Sequence, residues 1–353
     1  MIKNYYNVLG VMSGTSLDGI DLVHVKFQKD DNWTYEILVG ETIEYETEWQ
    51  KRLSEALHYN DLRLLDFNED YTSYLADVIY SFLRKHEITE LDAVCSHGHT
   101  IKHEPENGFT LQIGNLPKLA KLLGQTVVCD FRVQDVQLGG QGAPLVPIGD
   151  ELLFSEYDYC LNLGGFANVS TNRDGKRLAY DICAVNTVMN YLSAKLELPY
   201  DKGGQIAASG KVETGLLEKL NSLPFYDQAP PKSLGIEWVN KNILPFFEDV
   251  ASVASALRTY TEHAAMQIAR ELKGDASAKV LVTGGGAFND FLINEIEKRT
   301  KVEVVIPSVE VIDFKEALIF AFLGVLKLRG ENNVLSSVTG ASKDHSSGVV
   351  FNP

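Results

Sequence analysis

The chain has 353 residues, more than a single ordinary hydrophobic core organises, so two domains are expected. Hydrophobic residues make up 45%, and 48 acidic against 32 basic residues give a net charge of −16. That excess of acid argues against nucleic-acid and anionic-membrane partners, which select a basic face, and leaves room for an anionic ligand in a local pocket.

Two apolar runs, Val8–Met12 and Ile20–Phe27, flank the polar knot SGTSLDG and read as a strand hairpin, with Thr34–Ile43 as a third strand. Helices fit Glu48–Tyr59, where Trp49, Leu53, Ala56 and Leu57 share a face, and Phe67–His86. LDAVCSHG reads as a buried strand running into a polar turn. FTLQIGN and TVVCDFR read as two more strands, separated by a helix around Leu116–Leu123. The pattern restarts near Tyr157, where YDYCLNLGGFANVSTNRDG is again strand, glycine turn, strand. Helices follow at Asn186–Leu196, Thr214–Leu220 and Val250–Leu272. KVLVTGGGAFND is a strand ending in three glycines, and a helix (Phe291–Thr300), a strand (VEVVI) and a last helix (Phe314–Leu328) complete the chain. What repeats is this order rather than the residues themselves, and it fits two α/β domains whose ligand loops gather at strand ends.

No apolar run approaches the ~20 residues of a membrane span. The N-terminus shows no signal-peptide cleavage pattern, so a cytosolic protein is expected. Cys95, Cys129, Cys160 and Cys183 lie far apart with no CxxC and read as reduced, buried small residues.

In SGTSLDG, Gly14 and Gly19 permit positive φ and close backbone approach. Thr15 and Ser16 add hydroxyls, and a run of N–H and O–H groups at a turn makes an anion cradle. Asp18 belongs in a phosphate cradle only with a cation, and Mg2+ bridges phosphate and carboxylate, often through water. A self-bonded hairpin explains the same residues without a ligand. No GxxxxGK[ST] occurs, so this is not a P-loop protein. NLGGFAN (Asn162–Asn168) and TGGGAFND (Thr283–Asp290) are two further glycine turns. Three such turns at strand ends favour a nucleotide, with both hairpins on its phosphates and the triple glycine against its adenosine.

Asp181, in LAYDICAVN, is placed after a strand and before a helix. General base and helix N-cap both remain open there. His97, His99 and His103 suit hydrogen bonding to a polar substrate better than zinc. Arg132 and Gln141 follow a strand, where an arginine can clamp a carboxylate in bidentate fashion. Glu316 lies one turn into the last helix, where an acid near a helix N-terminus is also favourable in itself.

Nearly end to end, the chain resembles the anhydro-N-acetylmuramic acid kinases. The resemblance rests on GVMSGTSLDGID, SHGHT…HEP, TLQIGN, DFR…D…GGQGAPLVP, LNLGGFANVS, YDKGG…AASGK, PPKSLGIE, VTGGGAFN, EALIFAF and SVTGAS. It implies two ribonuclease-H-like domains of the actin/hexokinase-like ATPase kind flanking a nucleotide cleft, set at residues 1–130 plus 333–353 and 131–332. It implies an ATP- and Mg2+-dependent kinase that hydrolytically opens 1,6-anhydro-N-acetylmuramic acid. Phosphorylation of O6 then yields N-acetylmuramic acid 6-phosphate in cell-wall recycling. The implied partners are a small amino-sugar substrate and a second copy of the chain, in the cytoplasm, with no nucleic acid and no membrane.

Carried over residue by residue, the resemblance assigns the first phosphate turn to Gly14, Thr15, Ser16, Leu17, Asp18, Gly19, Ile20 and Asp21, with Asp18 as metal ligand. Gly164, Gly165 and Asn168 match the second phosphate loop, and Gly284, Gly285 and Gly286 the adenosine loop. Asp181 matches the catalytic aspartate, Arg132 and Glu316 match positions for sugar and water, and His97 and Gln141 join them on the sugar. The chain departs from the family with DICAVN where Asp-Thr-Gly-Pro-Gly-Asn is usual, His99 where glutamine is common, and Met12 where the wider superfamily often carries an acid. A same-fold kinase of another amino sugar and a non-catalytic ATP-dependent binding module are the alternatives. The second is disfavoured because a binding module needs no base.

Overall fold

The computed structural model describes residues 3–14 and 16–353. The chain divides into two compact units, Met1–Leu153 with Phe314–Pro353, and Phe154–Asp313. In the first unit β1 (Tyr5–Ser13), β2 (Gly19–Lys29) and β3 (Trp33–Glu44) form an antiparallel meander. β4 (Ala93–Glu104) pairs parallel with β1, β5 (Phe109–Ile113) pairs back on β4, and β6 (Val127–Cys129) extends the parallel side. The second unit repeats the plan. β7 (Tyr159–Leu163), β8 (Phe166–Arg173) and β9 (Lys176–Ala184) are the meander, and β10 (Lys279–Thr283) and β11 (Glu303–Val305) add on parallel beyond β7. β12 (Val349–Phe351) returns to the first sheet, antiparallel on β6. The strand orders β3-β2-β1-β4-β6 and β9-β8-β7-β10-β11 are the same order twice, so each unit is an α/β ribonuclease-H-like sheet.

Both faces of β1 are covered, which is why it reads as a nearly unbroken apolar run. Leu9 and Val11 enter a cluster with Tyr71, Leu75 and Ile79 of the helix Asp61–Lys85. On the other face the helix Val309–Arg329 approaches so closely that a Cβ on Gly10 would stand 2.2 Å from the Ala317 carbonyl oxygen. Phe322 of that helix packs on Phe27 at 5.3 Å and edge-on to Trp33 at 5.0 Å. A phenylalanine buried this fully stabilises by about 2–3 kcal/mol relative to exposure. In the second unit Tyr260, Ala264 and Ile268 of the helix Val253–Glu271 share one core cluster with Leu161, Val169 and Val282.

Several expectations shift. The unit boundaries fall at Leu153/Phe154 and Asp313/Phe314 rather than at 130/131 and 332/333. The reason is packing: Gly149 meets Ile319, Gly40 meets Phe314, and Gly324 meets Cys95, so residues to 153 and from 314 belong to the first core. SHGHTIKHE is strand rather than turn, because β5 pairs with it from His99 to Glu104. The helix expected from Phe67 begins at Asp61, capped by Asn60, whose side chain accepts from the Arg63 N–H. Its first turns escaped the periodicity because Leu62 and Leu65 are exposed. The four cysteines are buried, and no disulfide joins them. Among the described residues no helix is long and apolar enough to cross a membrane.

Candidate functional site

In the first unit the SGTSLDG turn joins β1 to β2. Leu17 adopts a left-handed φ of 60° and donates its N–H to the Gly14 carbonyl at 3.4 Å, which curls the backbone into a tight turn. Asp18 is exposed. Its Oδ1 accepts from the Ser16 hydroxyl at 2.5 Å and from the Gly19 N–H at 3.1 Å. Gly19 sits under the Ile43 carbonyl, where a Cβ would come within 2.6 Å. Ile20 is core, so only its backbone faces the turn, and Asp21 accepts from the Thr42 hydroxyl across β2–β3. Thr15 lies outside the described residues.

Among the described residues no three His, Cys, Asp or Glu gather to hold a metal. Asp18 nevertheless offers a second carboxylate oxygen with no donor from the described residues. One protein carboxylate, with phosphate oxygens and water for the rest, is the coordination Mg2+ prefers, so the residues present fit that ion.

Ser13, next to the turn, anchors it. Its hydroxyl lies 2.7 Å from His99 Nδ1 and 2.6 Å from the Tyr45 hydroxyl, which in turn lies 2.6 Å from that of Tyr71. Burial lowers the His99 pKa to about 4, so the ring is neutral and the relay carries no charge. His97 is buried, and burial with the neighbouring Arg132 charge drives its pKa well below the usual range. Its tautomer is fixed: Nδ1–H donates to the Gly98 carbonyl at 2.8 Å, and Nε2 accepts from Arg132 Nε at 2.8 Å. Both ring nitrogens are thereby occupied within the protein, so His97 orients Arg132.

Arg132 also donates from Nη1 to the Gly142 carbonyl at 2.6 Å. Burial brings its pKa down to about 10, opposed by Glu316 and Asp135. Glu316 keeps surface exposure, yet enough protein surrounds it that desolvation raises its carboxyl above the usual range, against the pull of Arg132 and Lys315. Gln141 is exposed, its backbone N–H held by the Thr339 carbonyl at 2.8 Å. Asp135, quoted in the sequence only as part of the DFR…D…GGQGAPLVP motif and given no role there, organises this glycine loop. Its buried carboxylate accepts from the Gly142 N–H and the Thr339 hydroxyl, each at 2.7 Å, and leaves no room for a side chain at Gly140.

The second unit gathers the other two glycine turns. Gly164 and Gly165 close the β7–β8 hairpin, and their carbonyls accept from the N–H groups of Asn186 at 3.3 Å and Val185 at 2.8 Å, pinning the start of the helix Asn186–Ala194. Gly284, at φ 81°, rests on the end of β7: a Cβ there would meet Asn162 Oδ1 at 2.5 Å and the Leu163 backbone at 2.9 Å. Gly286 leans on Leu163 in the same way, and Gly285 lies beside Asn186. The hairpin glycines and the triple glycine therefore form one cluster at one sheet end.

Asp181 lies inside β9, facing Asn168 of β8, which in turn faces Asn162 of β7. Asn162 faces Thr283 of β10, whose buried hydroxyl has no hydrogen-bond partner among the described residues. The N-cap alternative for Asp181 falls away, since Val185 takes that position and Asp181 is within the strand. Its Oδ2 accepts from the Leu234 N–H at 2.8 Å and the Ser233 hydroxyl at 3.1 Å. Burial raises its carboxyl above the usual range, while those two donors act the other way. Asn162, Ser233 and Leu234 were missed from sequence as site neighbours. Asn162 was findable from its place two residues before the glycine pair. The other two are brought in by pairing across some fifty residues of chain.

The family model described as anhydro-N-acetylmuramic acid kinase matches residues 6–353. A protein of that name from Mannheimia succiniciproducens is 35% identical, over 99% of this chain and 100% of its own length. Another, from Pseudomonas fluorescens, is 36% identical, over 97% of this chain and 98% of its own. Among solved structures, a ROK family glucokinase from Streptomyces griseus in complex with glucose and AMPPNP covers 90% of this chain and 98% of its own, at 13% identity and a TM-score of 0.41.

Proposed function

The chain belongs to the anhydro-N-acetylmuramic acid kinase family, and on that premise we propose that it uses ATP to convert 1,6-anhydro-N-acetylmuramic acid into N-acetylmuramic acid 6-phosphate. The observation that carries the chemistry is Asp181. It is a half-buried carboxylate with one oxygen tied by two donors and its proton affinity raised by burial. A base of that kind suits a substrate whose O6 is an ether oxygen with no proton to lose.

Asp181 takes a proton from water as the water oxygen bonds to the anomeric carbon, in the manner of an inverting glycosidase. The bond from that carbon to O6 breaks, O6 bonds to the γ-phosphorus of ATP, and ADP leaves with the electrons of the broken phosphorus–oxygen bond. Backbone amides of the Gly14–Gly19 turn and of Gly164 and Gly165 hold the phosphates, with the Gly284–Gly286 turn against the adenosine. Asp18 would hold Mg2+, which would supply charge neutralisation for the transferring phosphoryl group. Arg132, oriented by His97, holds the sugar's carboxylate, with Gln141 beside it, and Glu316 holds the water and sugar hydroxyls. We place the enzyme in the cytoplasm as a homodimer, with no nucleic-acid or membrane partner.

The test is ADP release by the purified chain with ATP, Mg2+ and the anhydro sugar, against N-acetylmuramic acid as control. Turnover with the anhydro sugar alone is expected. Asp181→Asn is expected to fold, bind ATP and lose turnover by about three orders of magnitude or more. Turnover with a different amino sugar only would replace the substrate, and ATP binding without any turnover would replace the kinase by a binding module.

A further inference from the structure

The Asp181 carboxylate is held asymmetrically. Oδ2 accepts from both Ser233 and Leu234, and the Asp181 N–H donates to the Lys232 carbonyl at 2.9 Å. Three consecutive residues thus grip one aspartate, and neither of their bonds to the carboxylate falls on Oδ1. The grip is itself fastened. The Lys232 side chain is almost wholly buried, lies over the Phe225 ring at 4.9 Å, and reaches Glu271 Oε1 at 3.9 Å. The other oxygen of Glu271 accepts from the Tyr180 hydroxyl at 2.9 Å, and Tyr180 is the residue before Asp181 in β9. Glu271 ends the helix Val253–Glu271 and so ties together the strand that carries Asp181 and the segment that grips it.

We propose that Lys232–Leu234 and Glu271 are positioning residues for Asp181: they saturate Oδ2, fix the carboxylate's rotation, and present Oδ1 to the proton it accepts. The proposal rests on the reading of Asp181 as the base. Hydrogen bonds to the ionised form favour that form, so the clamp keeps a half-buried carboxylate ionised in the range where the enzyme works. The titratable groups facing Asp181 leave this assignment clear. Cys183 on its own strand is neutral, its thiol pushed up by burial. Lys232 presents its carbonyl to Asp181 and its charge to Glu271, with Arg270 and Asp227 acting on that lysine, and Arg173 acts on Tyr180.

The experiment is an NMR titration of the carboxyl carbon of Asp181 in the full chain labelled at aspartate, assigned by its loss in Asp181→Asn, alongside the pH profile of kcat/KM. Ser233 is exposed, so Ser233→Ala is expected to fold. It should raise the Asp181 midpoint by roughly half a pH unit to one unit and move the acidic limb of kcat/KM up by the same amount. KM for ATP should not change, and Ser233→Thr should restore the wild-type midpoint. Glu271→Gln keeps a partner for Tyr180 but removes the charge that holds Lys232. It is expected to lower kcat several-fold, again at unchanged KM for ATP. A Ser233→Ala midpoint superposing on that of the wild type would overturn the proposal. Absence of turnover in the wild type would instead count against the kinase reading, while the titration still decides the clamp.

Discussion

At the scale of single residues, Arg132 shows how local chemistry fixes a role. A buried guanidinium needs its donors directed to defined acceptors. His97 provides one only because its ring is neutral and its proton sits on Nδ1. Lysine at this position would place a point charge where a planar fork is oriented by two acceptors. Arg132→Lys is therefore expected to raise KM for the sugar and to lower kcat/KM by about a hundredfold, with KM for ATP near that of the wild type. His97→Phe should reproduce part of that loss, because it leaves the Arg132 Nε–H unpaired. Steady-state kinetics with each substrate varied separately checks both. An unchanged sugar KM in the Arg132→Lys variant would remove Arg132 from the sugar's contacts. The sequence pointed to Arg132 and His97 separately, but nothing in it joined them, because the contact depends on β4 and the segment after β6 coming side by side.

At the scale of elements, the glycines of the first sheet separate those that admit a helix from those that only turn the chain. At Gly10 an added methyl would enter the backbone of the helix Val309–Arg329, at 2.2 Å from the Ala317 oxygen. At Gly108, φ is 70° and nothing lies within 4 Å. Gly10→Ala is thus expected to cost about 3 kcal/mol through overpacking, lowering the melting temperature by roughly 10 °C for a unit of this size. Gly108→Ala incurs only the left-handed backbone penalty of about 1 kcal/mol. Calorimetry on the pair checks the contrast, and equal melting temperatures would sink it. Element type was legible wherever an apolar run was long: β1, β2, the helix from Phe67 and the last helix were all visible. The strand character of SHGHTIKHE was not, because polar residues there face β5 and a neutral histidine relay rather than solvent. The glycine turns were legible as turns. That two of them cluster on Asn162 and Leu163 was not, because that follows from β10 lying beside β7.

At the scale of the whole molecule, the repeated strand order was visible in the sequence as a repeated order of elements, whereas the boundaries were not, because residues 131–153 and 314–332 carry no composition change. Their assignment follows from packing against the first sheet. Both units also share a response to acid. His97 and His99 in the first and His263 in the second are buried and neutral. Burial holds His99 at about 4 and His263 at about 3, and with the Arg132 charge sends His97 well below its usual range. His263 donates from Nδ1 to Asn221 and accepts from the Tyr226 hydroxyl, a pattern that protonation of Nε2 would break. In the unfolded chain these rings titrate near 6.5, so below that pH the unfolded state binds more protons than the folded one. Their contribution to stability is complete above about pH 6.5 and is lost as pH falls toward the folded values. Raised carboxyls, Asp181 and Glu316 among them, have the opposite sign in the acid range, since the folded state there holds their protons more tightly. From pH 6.5 down to 5 the histidines set the sign, because their unfolded pKa near 6.5 places their proton uptake in that window. The melting temperature is therefore expected to be flat from about pH 8 to 6.5 and to fall steadily toward pH 5, with these three rings contributing a slope approaching three protons taken up on unfolding. His263→Gln, which retains a donor and an acceptor but does not titrate, should flatten that slope by about one proton. Calorimetry across this range measures it directly, and a melting temperature independent of pH between 6.5 and 5 would show that the three buried rings take up protons without unfolding.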